Sequence, residues 1–147
     1  MVAVNINVEV TAAKGALNQI KAKIPNASRK ALNKTGMFLQ NAIKNRTAKG
    51  RDFKGRAFKP YSKAYAEKRK RRNATLKPNL FFKGLMLGNM SFKTFSKTKG
   101  QIFFPNTNAN KKAFFNDKTR PFFSVNKKEE DKAVKIFTES LMRDLKI

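Results

Sequence analysis

The chain contains no cysteine, no histidine and no tryptophan. Without cysteine there is no disulfide framework and no thiolate metal site, which fits synthesis inside a cell. Without histidine as well, ordinary zinc sites and histidine-based general-base catalysis are excluded. Acids are nearly absent too, at 9 Asp plus Glu against 34 Lys plus Arg. Between Thr11 and Asn116 the only acids are Asp52 and Glu67, standing among 26 basic residues, so a two-carboxylate metal site has no material to form from. Gly50 and Gly55 lack the Lys-Ser/Thr pair of a phosphate-binding loop. No run approaches the roughly 18 apolar residues that span a bilayer. The start, Met1 to Ile6, lacks the basic and apolar regions of a signal peptide, so the expectation is a soluble, unprocessed chain with no membrane role. No motif frames a serine and a lysine as nucleophile and base. These absences point to a binding or structural protein without a cofactor rather than to an enzyme.

What is present is positive charge and phenylalanine. A net charge of +25 on 147 residues, together with acid depletion, suggests a polyanion or an acidic protein surface nearby. The charge is uneven, since residues 117–147 hold six acids and eight bases and are nearly balanced. The apolar content of 40% and fourteen Phe support a packed interior, and the length suits one domain, residues 1–147.

Local patterns predict the elements. Residues 2–10 alternate, with Val2, Val4, Ile6, Val8 and Val10 on one face, which predicts a half-buried strand. Ala13, Ala16, Leu17, Ile20 and Ile24 then mark an amphipathic helix that Pro25 interrupts. A second helix starts near Asn26 or Ser28 and buries Ala27, Ala31, Leu32, Thr35, Phe38, Leu39, Ala42 and Ile43. Gly36 within it either permits a close crossing over the sheet or is simply tolerated, at roughly 1 kcal/mol relative to Ala.

Residues 46–60 show no period and carry Arg46, Lys49, Arg51, Lys54, Arg56 and Lys59, which predicts a basic mobile loop or arm. Phe53 and Phe58 in that arm are candidate anchors to the domain or to a partner subunit. A short helix over Tyr61 to Arg72 ends in Lys68-Arg69-Lys70-Arg71-Arg72, either a phosphate-contacting run or a solvated face. Asn79 to Met90 reads as a buried turn leading to a strand, and residues 90–95 and 101–104 as a hairpin joined by Lys-Thr-Lys-Gly. Pro105 to Lys112 is expected as a polar loop. Pro121 pushes Arg120 to an extended conformation, so that Phe122, Phe123 and Val125 form a short strand. Asn126 with Glu129 makes a capping box for a final helix whose buried stripe is Val134, Phe137, Leu141 and Leu145, flanked by Ala133 and Ile136.

Taken in order, four segments resemble one known family. They follow the expected N-terminal strand and long amphipathic helix, and are Phe58-Lys59-Pro60-Tyr61 before a Lys-rich helix, Leu80-Phe81-Phe82-Lys83-Gly84-Leu85-Met86 before a hairpin, Arg120-Pro121-Phe122-Phe123, and a terminal helix. The set resembles the virion morphogenesis, or tail completion, proteins of tailed bacteriophages, small neck proteins of the head–tail junction. That family has an aromatic-x-Pro-Leu/Tyr segment, a Leu-x-x-x-Gly-x-Leu segment and an Arg-x-Phe-Leu-Gly strand. Here Met86 replaces the usual Leu, Ser124 replaces the final Gly, and Ala113 to Lys118 lacks the His-Gln pair and Gly that commonly precede the strand.

The resemblance implies an α+β fold, a small mostly antiparallel sheet packed by a long N-terminal helix and a C-terminal helix. It implies a virion location after synthesis in the bacterial cytoplasm. The partners it implies are other copies of the chain in a ring, portal or adaptor and tail proteins, and DNA in the channel. On that reading the basic residues of 46–60 and 68–72 face DNA or acidic neighbours. Phe53, Phe58, Phe114 and Phe115 serve subunit contacts, and Gly84, Arg120, Pro121, Phe122 and Phe123 define the fold. The alternative is a free nucleic-acid-binding protein that uses the same basic residues on phosphates and Phe53 or Phe58 for stacking.

Overall fold

A computed structural model describes residues 6–81 and 84–146. Its elements in order are α1 (Ile6–Ala48), α2 (Lys63–Lys70), α3 (Leu85–Gly88), β1 (Ser91–Thr94), β2 (Gly100–Phe103), α4 (Thr107–Thr119) and α5 (Lys127–Leu145). The architecture is α+β: an antiparallel hairpin with a long N-terminal helix and a C-terminal helix packed together. Strand register pairs Ser91 with Phe103 and Thr94 with Gly100, and the connecting turn is held by the Ser96 hydroxyl, which accepts from the backbone of Thr98 and Lys99.

The first helix departs from expectation twice. The alternating stretch does not form a strand where it is described, since Ile6 to Val10 belong to α1 and residues 2–5 lie outside the described residues. A strand needs an edge to pair with, and the described sheet ends at the hairpin. Helix continuation costs Val and Ile only a few tenths of a kcal/mol each relative to Ala. The second departure is at Pro25, where α1 runs through without a break, so Asn26 and Ser28 are mid-helix residues rather than caps. Pro25 forfeits one bond to the Lys21 carbonyl, on an exposed turn of the helix. The following turns are backed by α5: Ala27 is buried and Lys30 approaches Asp144 at 4.0 Å. Ser28 instead donates its hydroxyl to the Lys97 carbonyl in the hairpin turn.

Gly36 has a definite role. A Cβ there would lie 2.2 Å from Cζ of Phe92, and one on Gly100 would lie 2.5 Å from the same atom. The Phe92 ring of β1 is therefore clasped between α1 and β2, and the close crossing of helix over hairpin depends on the missing side chains. Gln40 adds a bond from its amide to the Met90 carbonyl at 2.7 Å.

The core gathers Ile43, Phe58, Leu80, Met86, Met90, Phe104 and Phe122, with Ala109 and Ala113 of α4 against them. Residues 107–112 are thus helical, not a polar loop. Asn106 caps α4 by accepting from the Ala109 amide at 3.0 Å, and the four-residue spacing of Ala109 and Ala113 gives the helix a small apolar face. The segment 122–125 forms no strand, and its hydrogen bonds explain why. The amides of Phe122 and Phe123 both donate to Oδ1 of Asp117, at 2.8 and 2.9 Å. The carbonyls of Phe122 and Ser124 accept from Nη2 of Arg46, at 2.9 and 2.7 Å. Side chains have taken the groups a sheet partner would need.

The last helix has its capping box, with Asn126 accepting from the Glu129 amide at 2.9 Å and Glu129 accepting from the Asn126 amide at 3.1 Å. Its inner face differs from the expected stripe: Ala133 and Ser140 are buried, Ile136, Phe137, Leu141 and Leu145 half-buried, and Val134 is exposed.

Candidate interaction site

The ten basic residues singled out in the sequence divide by environment. Arg46 ends α1 with its side chain only 8% exposed, ion-paired to Glu129 and bonded to the two carbonyls just described. It is an internal strut rather than a surface contact. Lys49, Arg51, Lys54 and Arg56 are exposed, but the segment that carries them is tied down rather than extended as an arm. Arg51 and Ala57 form an antiparallel bridge. The Asp52 amide donates to the Arg56 carbonyl at 2.8 Å, the Phe58 amide to the Gly50 carbonyl at 2.8 Å, and the Phe53 amide to the Pro121 carbonyl at 2.9 Å.

Asp52 is the pin of this turn. It is buried, and its carboxylate accepts from the backbone and the guanidinium of Arg56, each at 2.8 Å. Burial pushes its carboxyl up. The hydrogen bonds from Arg56, the charge of Arg56 and a bond from the Lys54 backbone outweigh burial and hold it below its ordinary 3.8. A lone acid inside a basic stretch was the available signal for such a structural role.

Of the run at the end of α2, Lys68, Lys70, Arg71 and Arg72 are exposed, whereas Arg69 is only 2% exposed. Arg69 lies with its guanidinium carbon 5.0 Å from the Tyr61 ring centroid and 5.9 Å from that of Tyr65, and its Nε donates to the Thr75 carbonyl at 2.7 Å. A run of like charges is thus split by helix geometry, one member turning inward over aromatic rings.

The aromatic candidates divide as well. Phe58 is buried in the core, and Phe53 is half-buried with Lys54 Nζ 5.6 Å from its ring centroid. Phe114 and Phe115 stand on the outer face of α4, 59% and 65% exposed, with ring centroids 5.7 Å apart in an edge-to-face pair. Lys118 lies 4.4 Å from the Phe114 centroid. Two adjacent exposed Phe rings on a stable helix form an apolar patch of the kind that marks contact surfaces.

The fold-defining residues cooperate. Gly84 takes the left-handed conformation, φ 68°, that turns the chain into α3. Phe122 is fully buried and Phe123 half-buried, their rings 6.4 and 5.1 Å from that of Phe104. Pro121 offers its carbonyl to Phe53. Arg120 donates from Nε to the Lys59 carbonyl at 2.9 Å and from Nη2 to the Pro60 carbonyl at 3.1 Å, and its Cζ lies 5.0 Å from the Tyr61 centroid. Two segments 60 residues apart in sequence therefore meet through Arg120.

Sequence reasoning did not find Asp117 as the acceptor for two successive amides, nor the Arg46–Glu129 pair. Neither leaves a local pattern, because each links segments distant in the chain. Among the described residues no group of three His, Cys, Asp or Glu side chains is placed to hold a metal ion, and no helix is long and apolar enough to cross a membrane. Comparison with protein-family models, with curated proteins and with solved structures gives no match.

Proposed function

We infer that the chain is a structural subunit of a tailed-phage neck, a head–tail joining or tail completion protein that works by assembling with copies of itself and with neighbouring virion proteins. The observation that carries this reading is the convergence of the resembling segments. Phe58, Leu80, Met86 and Phe122 come from three separate motifs and share one core, while Arg120 joins the third motif to the carbonyls and ring of the first.

The division of surface supports an assembling part. The Phe114–Phe115 patch offers a dry contact, and the exposed cations at 49–56 and 68–72 offer attraction to an acidic neighbour or to channel DNA. Burial of Phe58 removes one of the two stacking residues that the free nucleic-acid-binding reading relies on.

Phage particles made without the protein are expected to show full heads and separate tails by negative-stain microscopy. Normally joined particles would overturn the proposal. A salt titration of DNA binding separates the alternative: weak binding that only follows net charge agrees with the neck reading, and tight binding by monomers favours a nucleic-acid-binding protein.

A further inference from the structure

A pocket of about 530 Å³ opens between the start of α2, Leu80 and the first residues of α3, and the Lys112–Asn116 side of α4. That is the size of pockets that hold small organic ligands. Its lining includes three cations, Arg69, Lys112 and Arg120, and no carboxylate among the described residues. The Tyr61 ring centroid lies 5.0 Å from the guanidinium carbons of both Arg69 and Arg120, so two guanidinium groups are held against one ring at one opening. Their placement is fixed: Arg69 is bonded to the Thr75 carbonyl, and Arg120 to those of Lys59 and Pro60. The opposite wall is apolar, formed by Leu80, Leu85 and Met86, and the Tyr65 ring at the edge is exposed.

Three cationic side chains lining one cavity favour an anion there. A carboxylate brings one negative charge to three cations, whereas a phosphate monoester brings about −1.5 to −2 and three acceptor oxygens. The apolar wall and the exposed Tyr65 ring suit a flat group carried beside that phosphate. Duplex DNA offers its phosphates on a convex ridge with the bases stacked inside, and it cannot fill a concave site. We propose that this pocket binds a nucleotide through its terminal phosphate, with the phosphate on Lys112 and Arg120, the buried Arg69 adding its charge to the site, and the base against Tyr65 and Leu85. The nucleotide is either free or the 5′-phosphorylated end of a strand. This assignment does not depend on the neck reading.

The test compares a fluorescent oligothymidylate bearing a 5′-phosphate with the same strand bearing a 5′-hydroxyl, by anisotropy at about physiological salt, where surface charge is screened. The phosphorylated strand is expected to bind about tenfold more tightly. Lys112→Gln, at an exposed position whose loss leaves the core untouched, and Arg120→Lys are expected to abolish most of that preference. Lys128→Gln on α5 removes the same charge elsewhere and is expected to keep it. Competition by dAMP assigns the site to free nucleotides as well as strand ends, and failure of dAMP to compete assigns it to strand ends. Equal binding of the two strands would overturn the proposal. So would equal effects of Lys112→Gln and Lys128→Gln, or displacement by a peptide with a free carboxyl terminus where dAMP has no effect.

Discussion

The most consequential perturbation is removal of Glu129. Its carboxylate pairs with a guanidinium that is almost wholly buried and also accepts the Asn126 amide that starts α5. Truncation in Glu129→Ala leaves Arg46 with its two carbonyl partners and no counter-charge. Breaking one side of a buried pair costs about 3–5 kcal/mol, and loss of the reciprocal cap adds about 1. Set against a total stability of about 5–15 kcal/mol, this is a large share. For a chain of this length it corresponds to a fall in Tm of roughly 10–20 °C. Glu129→Gln keeps the volume and an acceptor for the Asn126 amide, and should lose only about 2 kcal/mol, the charged part of its hydrogen bonding. Chemical denaturation of Arg46→Met, Glu129→Ala and the double variant completes the cycle, and the two losses should fall short of additivity by about 2–3 kcal/mol. Glu139→Ala, which breaks a solvent-exposed pair with Lys135, is the control and should change stability by less than about 0.5 kcal/mol. A loss below about 1 kcal/mol for Glu129→Ala, or a coupling near zero, would refute the view that this pair holds α1 to the 122–129 segment.

Gly36→Ala raises helix propensity by roughly 1 kcal/mol yet drives a methyl into the Phe92 ring. Overpacking of this kind costs about 1–3 kcal/mol, so a lowered Tm is expected, with recovery in Gly36→Ala/Phe92→Leu. Phe122→Ala empties a fully buried site and should cost about 3–5 kcal/mol by denaturant titration. Phe115→Ala should leave the melting curve unchanged and impair assembly on sizing columns, and a melting loss would instead make Phe115 a packing residue. Asp52 has its folded pKa depressed, so its contribution is present above its ordinary 3.8 and is lost as pH falls through the lower folded value. Asp52→Asn should therefore lower stability near neutral pH and flatten its fall below 3.8. A variant whose acid limb matches the parent's would show that Asp52 is not linked to folding.

The hairpin and α5 were legible because their signals are local: two short apolar segments joined by a Lys-Thr-Lys-Gly turn, and an Asn with a Glu three positions on. Helix α1 was misjudged because β-branched alternation and an internal proline are weak local biases that a long hydrogen-bonded ladder overrides. Helix α4 was hidden by its polar composition, although the Ala109–Ala113 spacing was there to be seen. Of the candidate site, residue types were legible and orientation was not. Lys68, Arg69 and Lys70 look alike in the sequence, and only the packing of Tyr61 and Tyr65 determines that the middle one turns inward. Burial of Arg46 was equally invisible, since its partners lie 76 to 83 positions away.

That separation has a consequence for biosynthesis. A nascent chain leaves the ribosome with Arg46 long before Phe122, Ser124 and Glu129, and the face of α1 that receives α5 stays wet until the last helix is out. Early residues can coil into α1, but they cannot close the core on their own, because loop closure over some 80 residues precedes its reward. Folding of this core is therefore completed only after residues 122–145 have been translated. Premature termination before residue 129 leaves a charged, open helix that proteases can clear.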